Sequence, residues 1–235
     1  MFKHALVGID FSQAWPRLQQ RIGFLQQWGL EAVTLVYVLS SRYPAVPEES
    51  HRPYYEQKLK EQAEELASAG LRVDWEIRTG EPGQELVKAA TDKQADLLLV
   101  GSLGHSRVWE FFLGSTALDI ARLAEMPLWL EPVQDAPVTQ AGTVLLATDG
   151  SDAVAEAETV FKGLASRARR ALAVTVLDDG SDTDSVREQT RTHLESLSTE
   201  DVPVEIAMPS GDPHRALPEY VQREGVELMV IGQRG

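Results

Sequence analysis

The chain has 235 residues, enough for one large domain or two small ones, and 43% of them are hydrophobic, which is ordinary for a protein that buries a core. Its formal net charge of −14 argues against nucleic acid as a partner, because phosphate backbones are bound by basic patches. Any bound anion must therefore be held by a few groups at one site rather than by an extended basic surface. The chain contains no cysteine, which excludes disulfide bonds and metal or redox sites built on thiolates.

The sequence indicates neither a leader nor a membrane segment. Its first residues lack a long apolar stretch after a basic one, and no apolar run approaches the roughly 20 residues that a membrane-spanning helix needs. We therefore expect a soluble, cytoplasmic protein with no membrane partner.

Strands and helices alternate along the first half of the chain. Short apolar runs, typical of strands covered on both faces, occur at 4–9, 33–39, 97–100 and 126–130. Helices are predicted over 14–27, 54–69 and 83–93, with a further helix opening at Gly114. Residues 40–53, which contain proline and tyrosine, are predicted as a loop. This alternation predicts a parallel sheet with right-handed crossovers.

The second half of the chain repeats the motifs of the first. The segment HALVGIDFS at 4–12 is echoed by TVLLATDGS at 143–151, and the run 33–39 by 172–177. The GxP sequence at 80–82 recurs at 211–213, and the glycine pair Gly101 and Gly104 recurs as Gly232 and Gly235. Because the motifs recur in the same order in both halves of the chain, we predict two doubly wound parallel-sheet α/β domains.

A linker rich in proline, glutamine and small residues occupies 132–142 and separates the two copies. The predicted domains are residues 1–135 and 140–235. The second copy stops at Gly235, inside its glycine motif, so it is incomplete at its C-terminus. We expect the natural gene product to be longer.

The glycine spacing after the fourth strand is the most informative motif. Gly101 and Gly104 lack a Cβ, so the chain can turn tightly there and bring backbone N–H groups close to an anion. Nine residues later, Gly114, Ser115 and Thr116 precede the apolar positions of a helix, whose N-terminus attracts negative charge. The spacing predicts a phosphate site. In the simpler alternative, the glycines only turn the chain and Ser115 only caps the helix.

These motifs together resemble those of the universal stress proteins, in their tandem form with two domains. The resemblance rests on DFS at 10–12, on the GxP at 80–82, on the spacing from Gly101 to Ser115 and on MPLWL at 126–130. It implies the sheet that this family shares with the adenine nucleotide alpha hydrolases. It also implies an ATP site at the carboxyl ends of the strands, where doubly wound sheets bind ligands.

The resemblance assigns a role to each candidate site residue of the first copy. The carboxylate of Asp10 would accept from the ribose or the adenine, and Val38 would offer its main-chain groups to the adenine. The remaining residues would surround the ribose and the phosphates: Gly101, Gly104, His105, Arg107, Gly114, Ser115 and Thr116. Alternatively, Asp10 caps the following helix, and His105 and Arg107 are solvated loop residues.

A second site would be formed by the corresponding residues of the second copy. These are Asp149, Val176, Gly232 and Gly235. We expect this site to exist only if the protein continues past Gly235.

The implied ligand is ATP, ADP or AMP, with or without Mg²⁺ on the phosphates. The chain has no GxxxxGK[ST] loop and no acidic pair of obvious spacing near the glycine motif, so efficient phosphoryl transfer is not expected. The resemblance implies at most slow hydrolysis or autophosphorylation. We identify no catalytic residues and no protein metal site, and favour a regulatory role in the stress response.

Two further hypotheses come from other classes of protein. A stress-response interaction module that binds no nucleotide would have its first crevice obstructed by side chains such as Phe11 or Trp109. An adenylyl-transferring synthetase is the weakest hypothesis, because the chain lacks SGGxDS and HIGH-type motifs. The resemblance also implies pairing through the last strand, 126–130, both between the two copies and in a homodimer.

Overall fold

The chain divides into two units, Met1–Val138 and Thr139–Gly235. The computed structural model describes residues 1–40, 48–102, 114–132, 142–177 and 183–233. Each unit contains one parallel β-sheet with helices between successive strands.

The first unit has a five-stranded sheet in the order β3-β2-β1-β4-β5. Its strands are β1 (His4–Gly8), β2 (Ala32–Ser40), β3 (Arg72–Gly80), β4 (Leu97–Ser102) and β5 (Leu128–Pro132). Its helices are α1 (Trp15–Gln27), α2 (Glu48–Ser68), α3 (Pro82–Asp92) and α4 (Ser115–Leu123). All four ladders are parallel, as the alternation of strands and helices requires.

Helices cover both faces of this sheet. Leu6, Leu98 and Val100 form a core with residues of α3 and α4 on one face. Successive strand residues point to opposite faces, and Glu131, next to Leu130 in β5, binds α1 on the other face. Helix α2 contacts α1 on that side, where Gln19 donates to Gln62. The central strands are continuous apolar runs because both of their faces are buried.

The second unit has a four-stranded parallel sheet in the order β8-β7-β6-β9. Its strands are β6 (Thr143–Ala147), β7 (Arg170–Val174), β8 (Val204–Ala207) and β9 (Leu228–Ile231). Its helices are α5 (Ala155–Ala165), α6 (Asp184–Glu195) and α7 (Pro213–Glu224), with a 3-10 turn before α5. The predicted fold class, two parallel-sheet α/β domains, is confirmed.

Strand registers in the two units agree with the repeat alignment. Gly8 pairs with Val36 in the first sheet, and Ala147 pairs with Val174 in the second. On the other side of the same strands, Gly8 pairs with Val100 and Ala147 pairs with Ile231. Strands β6, β7 and β9 therefore correspond to β1, β2 and β4.

The start of α2 differs from the prediction. The helix begins at Glu48, inside the segment predicted as a loop, and Pro53 lies within it. Proline lacks the N–H that a helical residue donates, so it removes one hydrogen bond in the second turn. The helix extends beyond it for a further fifteen residues.

Candidate functional site

The order of strands in the first unit reverses at β1. The chain moves from β1 outward through β2 to β3, and then returns to β4 on the other side of β1. Crossovers to opposite sides leave a crevice at the carboxyl ends of β1 and β4, which is where open α/β sheets bind ligands.

Asp10 lies at this edge, just after β1. It is exposed, and its Oδ1 accepts a hydrogen bond from the N–H of Ser12 at 2.9 Å. The alternative that Asp10 caps α1 is wrong, because the N-cap position is Ala14, whose N–H is bound by the Ser12 hydroxyl at 3.1 Å. The carboxylate thus closes a turn upstream of the helix and remains accessible to solvent.

Val38 presents its backbone toward the same crevice. The N–H of Ile9 donates to the carbonyl of Val36 at 3.0 Å, so the polar main-chain groups of Val36 face β1. Backbone groups alternate sides along a strand, and those of Val38, two residues later, point in the same direction. The β1–β2 ladder ends at the pair Gly8 and Val36, so Val38 lies beyond it.

Gly101 has a packing role that the sequence does not reveal. A Cβ built on Gly101 would stand 2.6 Å from the Cβ of Ala14, which is closer than real side chains approach. Glycine is therefore needed for the start of α1 to pack against β4. Gly104, His105 and Arg107 lie outside the described residues, as does Trp109.

The N-terminus of α4 is open to solvent. Gly114 is its N-cap and Ser115 its first helical residue, both exposed, and Thr116 is half-buried. Within the described residues, no side-chain cap is found at Gly114. The first backbone hydrogen bond runs from Leu118 N–H to the Gly114 carbonyl at 3.0 Å, so three amides precede it. A helix end of this kind attracts anions.

Both helices that follow the carboxyl ends of β3 and β4 begin at the same edge. A Cβ on Gly83, at the start of α3, would lie 3.4 Å from the carbonyl oxygen of Thr116. The same Cβ would stand 2.7 Å from the Cβ of Asp119, so glycine at position 83 lets α3 and α4 pack this closely.

A buried ion-pair cluster that was not predicted from the sequence lies next to Gly101. Glu131, which pairs with Gly101 in the β4–β5 ladder, is only 1% exposed. Its Oε1 accepts from Arg17 at 2.8 Å, and its Oε2 accepts from Arg21 at 2.6 Å and from the Trp129 indole at 3.0 Å. The available signals were a carboxylate in an otherwise apolar strand and two arginines four residues apart on α1.

A cluster of aromatic rings beside Asp10 was also missed. Phe11 contacts Tyr37 of β2 and Tyr55 of α2, with ring centroids 5.3 and 5.9 Å away. Tyr37 and Val38 are successive strand residues, so their side chains lie on opposite faces of β2. The ring of Phe11 thus packs on the α2 side of the sheet, away from the Val38 side chain.

The corresponding turn of the second unit has the same hydrogen bond and different neighbours. Asp149 Oδ1 accepts from the N–H of Ser151 at 2.9 Å, and this hydrogen bond lowers the pKa of Asp149. Val176 follows β7 and Gly232 follows β9, at the same edge, while Gly235 lies outside the described residues.

A polar network replaces the aromatic rings in this second turn. The hydroxyl of Thr148 accepts from the Gly150 N–H at 3.0 Å and donates to Glu158 at 3.0 Å. His193 Nε2 lies 2.8 Å from the same oxygen of Glu158. The two turns are therefore stabilised by different chemistry.

Two kinds of feature are absent from the described part of the chain. It contains no group of three or more histidine, aspartate or glutamate side chains arranged to hold a metal ion. None of its helices is both long enough and apolar enough to cross a membrane.

Comparison with known proteins identifies the family. The model of the universal stress protein family matches residues 1–131. The chain belongs to the universal stress protein family. The resemblance found in the sequence is thereby confirmed.

Individual relatives support the same family over parts of the chain. A universal stress protein of Thermus aquaticus is 31% identical over 97 residues, covering 37% of this chain and 71% of that protein. One of Synechocystis is 33% identical over 63 residues, covering 27% of this chain and only 22% of that protein. The crystal structure of a universal stress protein from Archaeoglobus fulgidus matches 97% of this chain and 86% of its own, with 20% identity and a TM-score of 0.82. That likeness establishes the fold.

Proposed function

We propose that this universal stress protein is a stress-response regulator that binds an adenine nucleotide in the crevice of its first unit, with slow or no hydrolysis. The observation that carries the proposal is the open N-terminus of α4 at the same sheet edge as the Asp10 carboxylate. An anion-binding end and a hydroxyl-binding carboxylate at one crevice suit a nucleotide, which has phosphates at one end and a ribose in the middle.

The base and ribose would bind at the β1–β2 side. The N–H and C=O of Val38 extend beyond the β1–β2 ladder and suit the donor and acceptor edge of adenine. One carboxylate oxygen of Asp10 accepts a hydrogen bond from the Ser12 N–H. The residue is exposed, so the carboxylate can also accept from a ribose hydroxyl. This arrangement requires no movement of the sheet.

The phosphates would bind at the α4 side. The first-turn amides and the hydroxyls of Ser115 and Thr116 would donate to the phosphate oxygens, with Gly101 and Gly104 bounding the site. His105 and Arg107 would supply positive charge, and Mg²⁺ would neutralise part of the triphosphate in a chain whose net charge is −14.

The protein is proposed to hold the nucleotide rather than to turn it over rapidly. Rapid phosphoryl transfer needs cations on the transferring group and a residue that orients the nucleophile. Among the described residues at this edge, the helix amides and hydroxyls bind phosphate without supplying such a group. Occupancy by ATP or ADP would then be the signal that a partner detects.

Isothermal titration with ATP and Mg²⁺ tests the proposal, with the two matching aspartates as variant and control. Asp10→Asn keeps the oxygen that binds Ser12 and removes the charge, so we expect the Kd to rise about tenfold or more. Asp149→Asn makes the same change in the second unit and should leave first-site affinity unchanged. No heat of binding in the native protein, with any adenine nucleotide, would reject the proposal.

Gly114→Val tests the phosphate end. A Cβ on Gly114 meets no described atom within 4 Å, so the fold accepts a side chain there. We expect valine to abolish binding by standing over the free amides, and Gly114→Ala to weaken it less. Unchanged affinity in both variants would show that the phosphates do not bind at the N-terminus of α4.

A second candidate function is a stress-response interaction module without a nucleotide. The packing of Gly101 against Ala14 favours it, because this contact accounts for one of the motif glycines without a ligand. A native protein that melts at the same temperature with and without millimolar nucleotide would support this candidate instead.

We also propose that the protein acts in the cytoplasm and that two chains pair through β5. This strand lies at the edge of the five-stranded sheet and has one side of its backbone unpaired within that sheet. Light scattering coupled to size-exclusion chromatography would reveal the dimer. A Leu128→Lys variant should shift the dimer toward monomer, and an unchanged mass would reject this interface.

A further inference from the structure

The turn that carries Asp10 contains a conformationally strained residue. Phe11 has a φ of 55°, in the left-handed region that residues with a β-carbon rarely adopt. The equivalent residue in the second unit is Gly150, whose φ is 73° and for which this region is accessible without steric cost. Both units therefore require a left-handed backbone after the aspartate, and the first achieves it with the less favourable residue.

The ring of Phe11 is packed against two tyrosines. Its centroid lies 5.3 Å from that of Tyr37, and 5.9 Å from that of Tyr55 with the planes 16° apart. Tyr37 and Tyr55 stack on each other at 4.2 Å, and the ammonium group of Lys58 lies 5.3 Å from the centre of the Phe11 ring. We call Phe11, Tyr37 and Tyr55 the aromatic clamp.

The clamp is directly connected to Asp10. The hydrogen bond from Ser12 N–H to the Asp10 carboxylate closes the turn around Phe11. Burial, the hydrogen bond with Tyr55 and the nearby charge of Asp10 raise the pKa of Tyr37 well above its ordinary value.

In the second unit, side chains also surround the turn that follows the aspartate, which supports the idea that its left-handed conformation must be stabilised. There, the Gly150 N–H is bound by Thr148, and a Cβ on Gly150 would lie 3.3 Å from the His193 ring. Each unit thus places a side chain of its second α-helix, Tyr55 of α2 or His193 of α6, over the same turn.

We propose that the aromatic clamp is a positioning device: it holds Phe11 in its left-handed conformation and thereby keeps the Asp10 carboxylate at the ligand crevice. This inference rests on the proposed function, in which Asp10 contacts the nucleotide. Strained residues persist only where their surroundings fix them, and they concentrate at functional sites. When the clamp is weakened, the turn samples other conformations, and the apparent Kd rises by the inverse of the competent fraction.

Two variants and one control test the clamp. Phe11→Leu keeps the β-carbon and removes the ring, whereas Tyr55→Leu removes a stacking partner on α2 and leaves the amino-acid sequence of the turn as it is. Phe24→Leu is the control, because this ring packs on Trp28, the C-cap residue of α1, outside the clamp. The measurements are amide hydrogen exchange of Ser12 in nucleotide-free protein, and the Kd for ATP with Mg²⁺.

We expect Ser12 exchange to accelerate about tenfold or more in both clamp variants, and the Kd to rise about tenfold. The double variant should be little worse than either single one, because both changes release the same contact. Phe24→Leu should change neither measurement.

The outcomes separate this inference from the proposed function. Unchanged Ser12 exchange in both variants would show that the clamp does not hold the turn. Faster exchange with an unchanged Kd would show that the held turn does not serve the ligand, while nucleotide binding itself stands. A native protein that binds no adenine nucleotide would reject the proposed function, and the exchange data would still decide whether the clamp orders the turn.

Discussion

Gly101 of β4 lies directly against Ala14, the N-cap residue of α1, with only 2.6 Å between the Ala14 Cβ and the place where a Cβ on Gly101 would stand. Alanine at position 101 would push the start of α1 away from the sheet. The motif glycine is therefore needed by the fold, whatever else approaches it.

Gly101→Ala is expected to lower the free energy of unfolding by about 1–3 kcal/mol, the usual cost of forcing extra volume into packed structure. Urea denaturation measures this change. Gly114→Ala and Gly23→Ala are the controls, because a Cβ at either position meets no described atom within 4 Å. Stability of Gly101→Ala equal to that of the native protein would show that α1 can shift without cost.

Glu131→Gln should be strongly destabilising. The carboxylate is buried between Arg17 and Arg21, and glutamine removes the negative charge that both largely buried guanidinium groups bind. Removing one partner of a buried ion pair costs about 3–5 kcal/mol, and the partial exposure of both arginines places this case at the lower end. Glu31→Gln, at an exposed pair with Lys3, is the control and should have little effect. Equal denaturation midpoints for the two variants would contradict the prediction.

These two positions show what sequence reasoning reaches and what it does not. The strands of both units were predictable because runs such as 97–100 are apolar on both faces, and such runs are typical of buried parallel strands. Glu131 was not predictable as an ion-pair centre, because its partner Arg17 is 114 positions away and only the fold brings them together. The same limit applies to Gly101, since a sequence cannot distinguish a glycine required by a neighbouring helix from one required by a ligand.

The helix boundary at Glu48 shows a different limit. Proline ordinarily ends a helix, so the segment before residue 54 was predicted as a loop. In the structure, Pro53 lies inside α2, whose remaining hydrogen bonds and contacts with β3 outweigh the one that is lost. Local propensity is a weak guide where tertiary packing favours the helix.

Stability should fall in mildly acidic solution because of His4. Burial lowers the pKa of His4, whose Nε2 lies 2.9 Å from the buried Thr34 hydroxyl; Arg72 and Lys93 act in the same direction, and Asp96 and Asp74 oppose it. The unfolded chain therefore binds a proton more readily than the folded protein. The free energy of unfolding should decrease as the pH falls below about 6.5, the ordinary value for histidine.

His4→Gln should reduce this dependence, because glutamine can bind Thr34 and does not titrate. The measurement is urea denaturation at several pH values between 7.5 and 5.5, compared for the native protein and the variant. The same slope in both would mean that other groups cause the loss of stability in acid.

Thr148→Ile should destabilise the second unit, although the aligned residue of the first unit is Ile9, which is buried there without difficulty. Thr148 is itself buried, and its hydroxyl joins the Gly150 N–H to Glu158. Isoleucine leaves that N–H without its acceptor and removes a donor from the carboxylate. Because Gly150 is exposed and water can reach its N–H, we expect a cost of about 1 kcal/mol, the net contribution of a typical hydrogen bond. We expect Gly150 amide exchange to accelerate while exchange of Ser12, in the first unit, stays unchanged. Protection of Gly150 equal to that in the native protein would show that its turn does not depend on the Thr148 hydroxyl.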